Sequence, residues 1–118
     1  MTEFSLLVTA GPQRPGALTA LRTARALQNS PYSLYRLFFY GDGVLLAHRL
    51  LNTDGGADET ARAWQQWVRD TAPPASVCVG AAHKRGVTEA TLAGGFQLVG
   101  LGDWVDALNH GGRVVHFG

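Results

Sequence analysis

The segment from Phe4 to Ala10, FSLLVTA, is predominantly apolar and stops at Gly11-Pro12. Such a run suits a strand covered on both faces, and strands of that kind belong to parallel sheets whose crossover helices supply the cover. The rest of the chain repeats the scheme. From Ala17 to Asn29, Leu18, Leu21, Ala24 and Leu27 recur at helical spacing beside Arg22 and Arg25, and Asn29, Ser30 and Pro31 close the helix. Leu34 to Tyr40 reads as a second strand, cut by Gly41-Asp42-Gly43, and Val44 to Leu51 as a short helix. After the turn-prone Asn52 to Gly56, Asp58 is expected to cap a helix whose face carries Ala61, Trp64, Trp67 and Val68. Pro73-Pro74 ends it. Ser76 to Gly80, Gln97 to Val99 and Val114 to Phe117 are the remaining expected strands, with a helix between the last two capped by Asp103 and bearing Trp104, Val105 and Leu108.

Strands joined in this way predict one α/β domain over residues 1–118, a three-layer α/β/α sandwich around a mostly parallel central sheet of about five strands. The composition agrees: 46% hydrophobic residues and a formal net charge of +1 place the chain far from disorder. Only 16% of residues are charged, below the usual level of about 25%. Charge is depleted where subunits meet, so partner chains are expected over part of the surface.

The same numbers exclude several functions. Ten basic against nine acidic side chains leave no surplus to neutralise a phosphate backbone, so direct nucleic-acid binding is not expected. No window approaches the roughly 18 apolar residues of a membrane span, and the first residues lack a basic signal-peptide start. A soluble cytoplasmic protein is expected. The four histidines, His48, His83, His110 and His116, and the single cysteine, Cys78, show no metal-ligand spacing, and Cys78 has no internal disulfide partner. No metal site and no cofactor are expected.

In open parallel sheets, ligands and reactive groups collect beyond the carboxyl ends of the strands. Here that edge is expected to be lined by Gly11 to Gly16, Tyr40 to Gly43 and Cys78 to His83. The first loop, TAGPQRPG, matches no phosphate-binding pattern and spends two positions on proline, which has no N–H to offer, so it reads as a rigid turn rather than a nucleotide cradle. None of Ser5, Ser30, Ser33 or Ser76 lies in a G-x-S-x-G elbow. Asp42 suits a local turn better than a catalytic relay. Trp64, Trp67 and Trp104 read as core or interface anchors. His83 is a possible assistant to a nucleophile, and His116 a satisfied core histidine. Cys78 admits two readings. It is either an inert core thiol or a nucleophile at a strand end, where a helix starting within Ala81 to Arg85 and the cations Lys84 and Arg85 would favour the thiolate.

The stretch VCVGAAHKRG (Val77 to Gly86) resembles the cysteine segment of the DsrE/TusD family of sulfur-transfer proteins. The resemblance extends to FFYGDGV (Phe38 to Val44), AWQQW (Ala63 to Trp67), FQLVGLG (Phe96 to Gly102) and RVVHF (Arg113 to Phe117), in the family's order and over most of the chain. It implies a DsrEF-like sandwich and a persulfide carrier with Cys78 as the catalytic residue and Arg85 as a thiolate-stabilising one. It gives His83 and Lys84 no role. The implied partners are related DsrF/TusC-like and DsrH/TusB-like subunits in a heterohexamer, a TusA-like sulfur donor and a TusE/DsrC-like acceptor. The implied pathway is tRNA 2-thiouridine synthesis for TusD-like members or dissimilatory sulfur oxidation for DsrE-like ones. A non-catalytic scaffold subunit is the further alternative. Between Gly86 and Phe96 the chain is shorter than TusD-like sequences, which is expected to alter access to the cysteine.

Overall fold

The computed structural model describes residues 2–51 and 56–118. Residues 52–55 of the expected turn, and the side chain of Asp58 expected as a cap, lie outside that description. Five strands, β1 (Glu3–Val8), β2 (Ser33–Phe39), β3 (Ala75–Cys78), β4 (Gln97–Val99) and β5 (Arg113–Phe117), form one sheet in the order β4-β3-β2-β1-β5. Every neighbouring pair is parallel. Four helices accompany them, α1 (Pro15–Gln28), α2 (Gly56–Thr71), α3 (Val79–His83) and α4 (Gly102–His110). No helix among the described residues is long and apolar enough to cross a membrane.

Strand order explains the layers. From β1 to β4 the chain steps across the sheet in one direction, and right-handed crossovers taken in one direction lie on one face. The next step reverses to reach β5, so α4 falls on the opposite face. Ring contacts mark the two sides. Phe39 meets Trp64 of α2 at 5.1 Å and Phe96, from the β3–β4 connection, at 5.5 Å, whereas its neighbour Phe38 meets Trp104 of α4 at 5.6 Å.

The α1/α2 side holds most of the core. Leu6, Val8, Leu37, Phe39 and Val77 from the strands meet Ala17, Leu21 and Ala24 of α1 and Ala61, Trp64 and Val68 of α2, all fully buried. The Trp64 indole N–H donates to the Ala17 carbonyl at 2.9 Å, so this large side chain is buried without an orphaned donor. Trp67 is likewise a core residue, its N–H reaching Gln28 Oε1 at 3.2 Å.

The other side is fastened by polar groups. A register shift opposite Phe4 and Ser5 makes Tyr35 an extra residue in β2, and a bulge of this kind re-aims the side chain it carries. Tyr35 and Arg36 then both reach α4. Arg36 pairs with Asp103 and with Asp106, the latter at 3.3 Å, and the Tyr35 hydroxyl donates to Asp106 at 3.1 Å. Burial works to lower the Arg36 pKa, and the hydrogen bond and charge of Asp103, with Tyr35 and Asp106, turn the shift upward. At the far end of α4, His110 stacks on Tyr35 at 3.6 Å and bonds Glu3 at 2.6 Å. Asp103 is therefore not the cap expected of it: Leu101 is the N-cap, and the Asp103 carboxylate is drawn to Arg36.

Three further expectations are corrected. Ser76 to Gly80 is not one strand, since β3 ends at Cys78 and Val79 already opens α3, which precedes the helix start expected at Ala81. Val44 to Leu51 is not one helix but two 3₁₀ segments, Gly41–Ala47 and Arg49–Leu51. His116 is exposed on the edge strand β5, bonded through Nε2 to the Thr9 hydroxyl at 2.7 Å, and is not a core histidine.

The first 3₁₀ segment depends on two glycines. Gly41 has φ +56°, and at Gly43 a Cβ would sit 2.0 Å from the Val8 carbonyl oxygen. Gly43→Ala is therefore expected to cost about 3 kcal/mol of stability in urea denaturation, because backbone must move to admit the methyl group. Gly80→Ala, which meets no atom within 4 Å, is expected to change stability by less than about 1 kcal/mol in the same measurement.

Candidate functional site at the carboxyl edge of the sheet

Cys78 is the last residue of β3 and the N-cap of α3, and its thiol makes no capping hydrogen bond. In register it lies beside Val99 of β4. This is where the sheet changes winding, since the connection leaving β3 passes to the α2 side and the one leaving β4 passes to the α4 side. Adjacent strands whose connections part in this way leave a crevice between them at their carboxyl ends.

The crevice is an open cavity of about 370 Å³ lined by Tyr40, Gly41, Cys78, Gly80, Ala81, Lys84, Arg85 and Leu101. Of the three loops expected at this edge, the second and third meet in it. The first does not line it, although a Cβ on Gly11 would lie 3.3 Å from that of Asp42. His83 is also absent from the lining, and its ring points to Glu89 at 4.0 Å. Lys84, named from the sequence as a cation near the thiol, is in the lining, whereas Leu101 had no role in the sequence reading. The signal for Leu101 was its place two residues after a strand ending beside Cys78.

The walls are held by a short chain of contacts. The Arg85 guanidinium donates from Nε to Asp42 Oδ1 at 2.9 Å and from Nη1 to the Ala81 carbonyl at 3.1 Å. Asp42 is thus more than a turn residue, because it ties the loop after β2 to the far end of α3. Gly86, at φ +77°, then turns the chain so that the Val87 N–H bonds the Ala82 carbonyl at 2.9 Å. Behind the wall, the buried Gln65 amide donates to the carbonyls of Leu46 and His48, both at 3.0 Å, and so fixes the segment that begins at Gly41. Gln65 was missed, though it occupies a buried position on the stripe 61, 64, 65, 68, and a polar group there demands partners.

The shortened stretch between Gly86 and Phe96 packs against the same segment. Val87, Ala93 and Phe96 are buried, the Ala93 N–H bonds the Ala47 carbonyl at 2.8 Å, and the Arg49 N–H bonds that of Thr91 at 2.9 Å. Among the described residues no group of three or more histidine, cysteine or acidic side chains is placed to hold a metal ion.

The site therefore offers one thiol, 95% buried, at the floor of a cavity with two cationic side chains and apolar, small-residue walls. A thiol so placed can exchange sulfur with a group that enters the cavity and with nothing that stays outside it. Comparison with known proteins fits this chemistry. The chain is 37% identical to the sulfurtransferase TusD of Cronobacter sakazakii, over 98% of this chain and 99% of that protein, and 36% identical to that of Sodalis glossinidius, over 98% of each. The first alignment runs over 129 positions against a chain of 118, in keeping with a shortened segment. The fold is that of the Escherichia coli protein YchN, with a TM-score of 0.82 at 22% identity over 99% of this chain and 100% of that one. The model of the DsrE/DsrF-like family matches residues 3–117, so this chain is a member of the DsrE/DsrF-like family.

Proposed function

We propose that this chain is a TusD-like sulfurtransferase that carries persulfide sulfur on Cys78. The observation that supports this most directly is the position of Cys78, the only thiol in the chain, at the floor of the cavity where the sheet changes winding. Identity to TusD over nearly the whole of both chains supports the reaction class. In loading, the Cys78 thiolate attacks the outer sulfur of a donor persulfide, R–S–SH. A bond forms between the two sulfurs, the donor's S–S bond breaks, and the donor leaves as the thiolate R–S⁻. In unloading, an acceptor thiolate attacks the outer sulfur on Cys78 and the same exchange runs outward. It is governed, like any thiol–disulfide exchange, by thiolate fraction and access, and it calls for no metal or organic cofactor.

The finer reading is a cytoplasmic relay for 2-thiouridine in tRNA. The chain would stand beside TusC-like and TusB-like subunits in a heterohexamer, taking sulfur from a TusA-like donor and giving it to a TusE-like acceptor. The low charged fraction and the half-exposed Leu101, at the N-cap of α4, and Val105 and Leu108, on it, suit a chain that works within an assembly. Near-neutral charge suits one that hands sulfur to a protein and leaves the tRNA to others.

Incubation with a persulfide donor is expected to add one sulfur atom to the intact mass, and a reductant to remove it. Cys78→Ser, which places a hydroxyl that stays protonated where a thiolate is required, is expected to assemble normally and gain no sulfur. Full transfer by the assembled serine variant would leave the chain a scaffold. For Arg85, whose guanidinium lines the cavity, Arg85→Ala is expected to slow alkylation of Cys78 at neutral pH several-fold, roughly the effect of one nearby charge on a thiolate. Stability should fall by no more than about 1 kcal/mol, since Asp42, the partner of the ion pair, is largely exposed. Alkylation kinetics and urea denaturation of the same variant check both.

A further inference from the structure

We propose that Lys84 is the residue that captures the outer sulfur, pairing its ammonium with the persulfide anion that Cys78 carries. The inference rests on the sulfur-carrier reading above and assigns a role at that site which Cys78 and Arg85 do not fill.

The two cations of the cavity differ in what else they do. Arg85 is committed, with Nε on Asp42 and Nη1 on the Ala81 carbonyl. Lys84 lines the same cavity and has no carboxylate, carbonyl or ring partner among the described residues. The other lining side chains are apolar or small apart from the Tyr40 hydroxyl, so the uncommitted charge among the lining residues is that of Lys84, whose side chain is exposed and free to swing. An uncommitted cation on the lining of the cavity that holds the cysteine is available to an anion that arrives with the reaction.

Persulfide chemistry supplies that anion. A sulfur bonded to another sulfur gives up its proton more readily than a thiol does, so the group on loaded Cys78 is Cys–S–S⁻ near neutral pH. Its terminal atom stands one S–S bond, about 2.05 Å, beyond Sγ. Because Cys78 is only 5% exposed, that extra atom reaches into the cavity rather than into bulk solvent. A compact ammonium on a flexible four-carbon stem can follow it there, as a rigid guanidinium already held at two points cannot. The same charge attracts an incoming anionic donor, so it acts in loading as well as in storage.

The experiment compares the wild-type chain with Lys84→Gln and Lys84→Arg. Cys78 is alkylated at one pH with iodoacetate, an anion, and with iodoacetamide, its neutral counterpart, and the ratio of the two rates is taken. The ratio removes any general change in thiol reactivity or access. In Lys84→Gln it is expected to fall roughly three- to tenfold, the scale of a local charge on an encounter rate. Lys84→Arg should stay within about twofold of wild type, and the difference should shrink as salt is raised. Loading from inorganic polysulfide, which gives up one sulfur and departs one atom shorter, should fall in parallel in Lys84→Gln, with the melting temperature unmoved.

An unchanged ratio in Lys84→Gln, or failure of Lys84→Arg to restore it, would overturn the assignment. If wild type still loads sulfur in that case, the carrier reading stands and Lys84 alone loses its role. A wild-type chain that takes up no sulfur from polysulfide or from a persulfidated protein overturns the carrier reading, and the role of Lys84 in storing sulfur with it, even where the alkylation ratio responds.

Discussion

Reversal of the winding direction between β3 and β4 is the constraint on which the rest of this molecule depends. Right-handed crossovers leave the chain little freedom once strand order is set. Stepping one way across the sheet stacks α1, α2 and the β3–β4 connection on one face, and stepping back to β5 sends α4 over the other. The place where adjacent connections part is the place where backbone cannot fill the space above the sheet. Cys78 ends the strand at that place, and Leu101, at the start of the connection that leaves the other way, faces the same gap. The cavity is thus a product of topology before it is a product of particular side chains.

The two faces are held by different physics. On the α1/α2 side, interlocked aromatic and aliphatic groups exclude water, and the few polar atoms among them, such as the Trp64 indole and the Gln65 amide, are satisfied by backbone carbonyls. On the α4 side, apolar cover is thinner. Trp104 and Ala107 supply it, and the helix is tied down by Arg36 with Asp103 and Asp106 and by His110 with Glu3. The outward stripe of Leu101, Val105 and Leu108 stays half exposed, which is how a helix looks when only one of its sides has been given a partner within the chain.

Much of this was legible from the residues. The apolar run ending at Gly11-Pro12, the helical spacing of Leu21, Ala24 and Leu27, and the breaks at Gly41-Asp42-Gly43 and Pro73-Pro74 located the first three strands and both long helices, because burial on two faces and loss of backbone donors act locally. Gln97 to Val99 was bounded as observed. What was not legible depended on partners distant in sequence. Asp103 has the chemistry of a cap and became the counter-ion of Arg36, 67 positions earlier. Val79 and Gly80 look like strand and are helix, because β3 runs out of neighbours at Cys78. His116 looked buried only so long as β5 was not known to be an edge. At the site, the cysteine, the cations that follow it and the loop after β2 were visible as candidates, whereas Leu101 could be joined to them only when strand order was known.

The cavity also has an uneven mechanical ancestry. Its floor, Cys78, belongs to the hydrogen-bonded ladder of β3, paired with β2 on one side and β4 on the other. One rim, Leu101, belongs to the lead-in of α4, a helix anchored to the sheet mainly through side-chain tips. The rim and the thiol thus belong to separate parts of the fold, one held by side-chain pairs and the other by the backbone ladder.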